Sequence, residues 1–249
     1  MKKLFISSIF LCLMASVAFA QRPPSDKIET EQGPLTVQPI RHATLTLSWN
    51  GNTIYVDPTG GAAAFDGIKA PNMILITDIH GDHLNVETLN ALETEETVLI
   101  VPQAVADQLP ESYKDQLVVI GNGETTEQLG MSVRAIPMYN LPENSESFHT
   151  KGRGNGYVLT MGGKNIYISG DTEDIPEMRS LENIDVAFVC MNLPYTMDIY
   201  QAADAVLDFE PAIVYPYHYS GQDTEEFKKL VTEKNENIEV RLRDWYMGN

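Results

Sequence analysis

The sequence predicts an α/β protein arranged as a four-layer αββα sandwich, and three observations carry that expectation. Each half of the chain opens with a β-hairpin signal. Each hairpin is followed by an alternation of strand-like and helix-like segments. No low-complexity tract or obvious linker separates the halves, so two sheets packed face to face, with helices outside, are expected to share one core.

The elements follow in order. In "HATLTLSWNGNTIYVDP", alternation at Thr44–Leu47 and Thr53–Val56 flanks the turn Asn50-Gly51-Asn52, a hairpin pattern. Strands are expected at Met73–Thr77, Val98–Val101, Leu117–Ile120 and Met131–Pro137, because these are short apolar runs rich in β-branched residues. Val86, Leu89, Ala91 and Leu92 suit a helix capped by Asn85. In the second half, "GYVLTMGGKNIYISGD" predicts a hairpin turning at Gly162-Gly163. Strands at Val186–Met191, Ile213–Tyr215 and Ile238–Leu242 are expected to alternate with helices at Tyr200–Phe209 and Thr224–Thr232.

Three parts of the chain are expected. Residues 1–20 read as a signal peptide: Lys2 and Lys3 form a basic start, an apolar stretch follows, and Ala18-Phe19-Ala20 is a cleavage pattern. The stretch is short and is broken by Ser7 and Ser8, which disfavours a membrane anchor. Leu11 before Cys12 disfavours lipoprotein processing. Cleavage after Ala20 would deliver the chain to the periplasm or outside the cell. Residues 21–35, with Pro23, Pro24 and Pro34, read as a flexible lead-in. Residues 36–249 are expected to form a single domain.

Composition limits the partners. The formal net charge is −18, and loss of Lys2 and Lys3 makes it more negative. Nucleic acid and anionic membrane are therefore disfavoured, since phosphate binding needs basic surface. Cys12 and Cys190 are the two cysteines, and signal removal leaves one thiol, so no internal disulfide supports the fold. Cys190 lies in an apolar strand pattern, which suits core packing better than nucleophilic chemistry.

The most concentrated chemistry lies in "ITDIHGDHLN". Asp78, His80, Asp82 and His83 place four potential ligands in six residues, directly after a buried strand pattern. In an extended segment Asp78, His80 and Asp82 share a side, while His83 points elsewhere. Imidazole and carboxylate together suit zinc, manganese or iron. A solvated turn before a helix is the alternative, and four such groups at this density weigh against it. His149, Asp171 and His218 also sit at the ends of expected strands, in "SFHTKGRGNGYVL", "YISGDTED" and "IVYPYHYSG". Strand ends of a sandwich can converge, so a shared site is physically reasonable.

The order D/H-x-H-x-D-H, then His, then Gly-Asp-Thr, then His resembles the metallo-β-lactamase superfamily. Gaps of 66, 22 and 47 residues separate His83, His149, Asp171 and His218. The motifs "YVDP", "FHTKGRGNGYVL", "SGDTE", "DVAFVCMNLPYTM" and "YPYHY" are similar to the ascorbate-6-phosphate-lactonase-like branch. The resemblance implies one or two divalent ions, zinc first, with manganese or iron as alternatives. Asp78, His80 and His149 would form one metal position. Asp82, His83 and His218 would form the other, with Asp171 bridging. Asp78 departs from the usual histidine, which bears on occupancy of the first position. Asp82 is the candidate catalytic group, to orient the nucleophile or relay a proton.

Asp57 in "YVDP" reads either as a carboxylate supporting a metal histidine from behind or as a turn residue before Pro58. His42 falls outside the ligand pattern and is expected as a supporting histidine near the site. Lys151, Arg153, Tyr195 and Thr196 are candidate substrate contacts, although the last two also suit packing and capping. The functional expectation is an exported hydrolase in which a metal-activated hydroxide attacks an ester, lactone, amide or phosphoester of a small molecule. A non-catalytic metal- or ligand-binding protein on the same fold is the alternative.

Overall fold

The computed structural model describes residues 22–247, so the expected signal peptide lies outside the described residues. Among the described residues, fourteen strands form two seven-stranded sheets, and within each sheet consecutive strands pair. The first sheet contains β1 (Asp26–Ile28), β2 (Leu35–Arg41), β3 (Thr44–Trp49), β4 (Asn52–Val56), β5 (Met73–Leu75), β6 (Val98–Val101) and β7 (Leu117–Val119). The second contains β8 (Thr125–Gln128), β9 (Met131–Met138), β10 (Gly154–Met161), β11 (Lys164–Ile168), β12 (Val186–Cys190), β13 (Ile213–Tyr217) and β14 (Glu239–Val240).

Each sheet begins with four antiparallel strands and ends with parallel ones. β1 to β4 pair antiparallel, and β4 to β7 pair parallel. β8 to β11 and β11 to β14 repeat that pattern. The parallel connections carry the helices, as parallel pairs require crossovers. These are α1 (Val86–Ala91), α2 (Gln103–Ala106), α3 (Pro176–Arg179), α4 (Ile199–Phe209) and α5 (Thr224–Thr232).

Side-chain alternation assigns the layers. Met73, Leu75 and Ile100 join the core between the sheets, together with Val133, Leu159 and Ile168. Ile74, Ile76, Leu99 and Val101 face the other way and pack with Leu89 of α1 and Val105 of α2. Ala202, Val206, Phe227 and Val231 place α4 and α5 in the main apolar cluster against the second sheet. Two helical layers therefore enclose two sheets, as the sequence predicts.

The hairpin turns obey their chemistry. Asn50 and Gly51 have φ of 47° and 80°, and Gly162 and Gly163 have 55° and 75°, the double positive φ of a type I′ connection. Helix starts also match: the Asn85 side chain accepts from the Thr88 N–H at 2.7 Å, and Asp198 forms a capping box with Gln201.

Four elements differ from expectation. β1 lies in the segment read as a flexible lead-in; Ile28 is buried and the Asp26 carboxylate accepts from the Tyr215 hydroxyl at 3.0 Å. β2 alternates buried Leu35 and Val37 with Thr36 and Gln38 but contains Pro39, which argues against a strand, and β8 is the polar run Thr125–Gln128 without apolar alternation. Expected β5 residues Ile76 and Thr77 leave the ladder, and that departure delivers the polar cluster.

The second sheet grips this departure point. The Asn155 N–H of β10 donates to the Thr77 carbonyl at 2.9 Å, and the Tyr157 hydroxyl donates to the Ile76 carbonyl at 2.9 Å. Gly154 permits the approach, since a Cβ there would lie 2.8 Å from the Thr77 carbonyl oxygen.

Candidate metal centre

The seven expected ligands, and Asp57, follow or border strand ends. Asp57 follows β4, Asp78 to His83 follow β5, His149 precedes β10, Asp171 follows β11 and His218 follows β13. Both sheets therefore present these groups at one end of the sandwich. His42, Asp57 and His218 have φ of 47°, 44° and 47°, unusual values for residues with a side chain.

Asp171 is the hub. Its Oδ2 lies 3.3 Å from His83 Nε2 and 3.3 Å from His149 Nε2, and its Oδ1 lies 3.4 Å from His218 Nε2. These groups are buried, yet His83 Nε2, both His149 ring nitrogens and Asp171 Oδ1 have no hydrogen-bond partner among the described residues. Buried polar atoms without partners are costly, and several converging on one point fit a cation. Among the described residues, three groupings have ligand atoms close enough to hold an ion: His83 with Asp171 and His218, His42 with Asp82 and His218, and Asp78 with His80 and His149. Asp82 reaches the first grouping, with Oδ2 3.3 Å from His218 Nε2.

His83 shows how the sequence aims a ligand. Its Nδ1 lies 2.8 Å from Asp57 Oδ2, and Asp57 also accepts from the Thr77 N–H at 2.8 Å and the Thr77 hydroxyl at 2.7 Å. Nδ1 therefore donates, which leaves the Nε2 lone pair facing Asp171. Of the two readings open for Asp57, the histidine-supporting one matches this contact. His42 also lies at the site. Its Nε2 is 3.1 Å from Asp82 Oδ2 and its Nδ1 is 2.8 Å from the Tyr246 hydroxyl. Ser220 N–H donates to that hydroxyl at 2.8 Å. A directional chain satisfies all four groups: Ser220 to Tyr246 to His42 to Asp82.

The charges are strongly coupled. Burial disfavours ionised Asp171, but His218 and His83 outweigh it and hold the carboxyl well below 3.8. Burial likewise disfavours protonated His83, but Asp171 and Asp57 raise it well above 6.5. Asp82 and Asp78 are also lowered against their burial, by hydrogen bonds from His218 and His42 and from His80 respectively. Asp57 runs the other way, raised by burial. A carboxylate with a depressed pKa stabilises the fold above about pH 4 and loses that contribution as pH falls through its folded value. Three such groups oppose one, so the metal-free protein is expected to lose thermal stability steadily below about pH 4. Calorimetry of chelator-treated protein between about pH 3 and 6 checks this; a flat melting temperature would contradict it.

A cavity of about 270 Å³ opens onto the cluster, lined by His80, Asp82, Phe148, His149, Asp171, Asn192, Tyr195 and His218. Tyr195 thus reaches the expected place. The other three candidate substrate contacts do not. Lys151 pairs with Glu143 at 3.1 Å and Glu177 at 3.0 Å. Arg153 turns inward and clamps Asp78, Nε to Oδ1 at 3.1 Å and a terminal nitrogen to Oδ2 at 3.0 Å. Thr196 is buried, and its hydroxyl accepts from the Asn192 N–H at 2.8 Å. These cations sit beside acidic groups that outcompete solvent, and Thr196 serves a turn.

Sequence reading missed Asn140, Phe148, Asn192 and Tyr246. Asn140 brackets His149: its side-chain oxygen accepts the His149 N–H at 2.7 Å, and its own N–H donates to the His149 carbonyl at 2.9 Å. Its side-chain amide also donates to the Tyr195 carbonyl at 2.8 Å, tying two cavity loops together. A lone asparagine after a strand carries no signal for that role. Phe148 is an exposed aromatic adjacent to a candidate ligand, a signal that was present in the sequence. Cys190 is fully buried and its thiol is pushed up to about 12 by burial, consistent with packing.

Residues 36–218 match the β-lactamase superfamily domain. A UPF0173 metal-dependent hydrolase of Pyrococcus abyssi is 30% identical over 209 residues, covering 78% of this chain and 91% of that protein. A crystal structure from Parabacteroides distasonis, described as a metal-dependent hydrolase, is 38% identical with a TM-score of 0.81, covering 89% of this chain and 98% of that one. A metallo hydrolase of Ignicoccus hospitalis shares the fold at 22% identity and a TM-score of 0.69, covering 84% and 94%. Fold, ligand order and relatives agree: the chain belongs to the metallo-β-lactamase superfamily, among its metal-dependent hydrolases.

Proposed function

We propose that the chain hydrolyses an uncharged ester or lactone carrying an apolar group, with a divalent ion, zinc first, held by Asp82, His83, Asp171 and His218. The observation that carries the reading is the set of buried ring nitrogens and Asp171 Oδ1 that face one another without hydrogen-bond partners among the described residues. When bound, a divalent ion acidifies a water and polarises a substrate oxygen. The chain's own residues do the rest. Asp57 fixes the His83 tautomer. Asp82 Oδ2 is placed to orient the attacking water and to relay its proton to the alkoxide that leaves as the acyl–oxygen bond breaks, and His42 Nε2–H holds that carboxylate in position.

The substrate class follows from the cavity lining. It contains no lysine or arginine among the described residues, because Lys151 and Arg153 are already paired with carboxylates. Beyond the ion, a phosphoester would meet acidic groups with no lysine or arginine in the lining to balance its charge. The rim is aromatic instead: Phe148 and Tyr195 are exposed and meet edge to face at 4.9 Å. The lactonase-like motifs add lactones to the candidates. The basic start and the Ala18-Phe19-Ala20 pattern support export to the periplasm.

A panel of aryl esters, aliphatic lactones and aryl phosphodiesters, assayed with zinc and with manganese, tests this. Esters or lactones are expected to exceed phosphodiesters by about tenfold or more in kcat/KM. Phe148→Ala with Tyr195→Ala is expected to raise KM for aryl esters several-fold with little change in kcat, on the order of 1 kcal/mol for a lost aromatic contact. A phosphodiester preference would sink the reading.

A further inference from the structure

The resemblance implies two metal positions, but the residues fit them unequally. At the second, the His83 and His218 Nε2 atoms face Asp171, and Asp82 lies alongside. His83 Nε2 and Asp171 Oδ1 are buried without hydrogen-bond partners among the described residues. At the first, the carboxylate that would ligate is already committed. Asp78 has both oxygens bound by Arg153 in a two-point clamp, at 3.1 and 3.0 Å, and Oδ2 also lies 2.7 Å from His80 Nδ1. Asp78 is fully buried and Arg153 is mostly covered, so solvent does little to weaken their pairing. A guanidinium matches a carboxylate geometrically and does not lose its proton.

Arg153 is also fixed from behind, its guanidinium donating to the Phe148 carbonyl at 2.6 Å. Its backbone N–H donates to the Thr150 carbonyl at 3.2 Å, closing the turn that carries it. A divalent ion at the first position would have to share Asp78 with this guanidinium and sit beside its fixed positive charge. A histidine in place of Asp78 would lack the charge that holds Arg153 there, so aspartate and arginine form one unit.

We infer that the centre takes one ion, at Asp82, His83, Asp171 and His218, and that the Arg153 guanidinium replaces a second ion as the counter-charge of Asp78. This rests on the metal-dependent reading above. His80 and His149 then line the cavity without an ion between them.

The test is metal content and position, read without reference to activity. The purified protein is equilibrated with excess zinc or manganese, dialysed, and measured by elemental analysis; anomalous scattering from crystals places the ions. One ion at the second position is expected. Asp78→His alone is expected to stay at one, because the arginine charge remains. Asp78→His with Arg153→Gln is expected to reach two, the added ion held by the introduced imidazole together with His80, His149 and Asp171. Two ions in the unaltered protein, one ion at the first position, or a second ion gained by Asp78→His alone would each overturn the inference while leaving the metal-dependent reading standing. No bound ion at all would overturn both. Should the double variant fail to fold, the unaltered protein and the single variant still decide.

Discussion

Asp171→Ala is expected to strip the metal centre and reduce kcat/KM by on the order of 10³ or more, the scale of losing a preorganised electrostatic partner. Among the described residues, Asp171 is the one carboxylate within 3.4 Å of three histidines drawn from different loops. Without it, the ion loses the carboxylate on which those histidines converge, and Asp82 is left as its one negatively charged ligand. The fold itself is also affected, since Asp171 is the buried carboxylate that His83, His149 and His218 pack around. Removing one partner of a buried pair costs about 3–5 kcal/mol. Elemental analysis, a rate assay and denaturant unfolding read the three consequences separately. Retention of stoichiometric metal by the variant would show that Asp171 is not the shared ligand.

Asp57→Asn is expected to weaken metal binding roughly 10- to 100-fold, the usual effect of losing the group behind a ligating histidine. Asparagine keeps the size but can present its NH₂ to His83 Nδ1, favouring the wrong tautomer and turning a proton toward the ion. The same carboxylate also takes the Thr77 N–H and hydroxyl, so Asp57→Ala adds a stability loss of about 1–3 kcal/mol for a buried donor left unpaired. The asparagine variant separates the two roles. Metal affinity measured by competition with a chelating dye should fall while the melting temperature of the metal-free protein stays near that of the unaltered protein. Equal affinity in both would place Asp57 in a purely structural turn.

The structure also changes what Asp78→His should do. From sequence alone, that substitution restores the commoner ligand and favours zinc at the first position. The Arg153 clamp reverses the sign, because the substitution leaves a guanidinium without its carboxylate beside an imidazole.

Much of the fold was legible because its signals are local. The Asn50-Gly51 and Gly162-Gly163 turns need φ values that few residues adopt, and each announces a hairpin. The runs at 73–75, 98–101 and 186–190 are apolar throughout because parallel strands are covered on both faces. β2 was hidden by Pro39, which interrupts its alternation of Leu35 and Val37 with Thr36 and Gln38, and β8 by its polarity, since it owes its pairing to β9 and not to its own pattern.

The site divides in the same way. The seven candidate ligands were legible because chemistry fixes their residue types and strand ends fix their place. The roles of cations were not. Arg153 lies 75 residues from Asp78, and Tyr246 lies 204 residues from His42. Nothing in "KGRGNG" tells whether its charges face substrate or a buried carboxylate; that depends on where the chain folds back.

The central claim is that hydrolysis depends on an ion at the Asp82, His83, Asp171 and His218 cluster. The most direct measurement is the rate of ester or lactone hydrolysis by chelator-stripped protein during stepwise return of zinc or manganese, with bound metal measured at each step. The stripped protein should be inactive, and activity should rise in proportion to bound metal until one ion per chain. Full activity in the stripped protein, or metal uptake without any return of activity, would contradict the account.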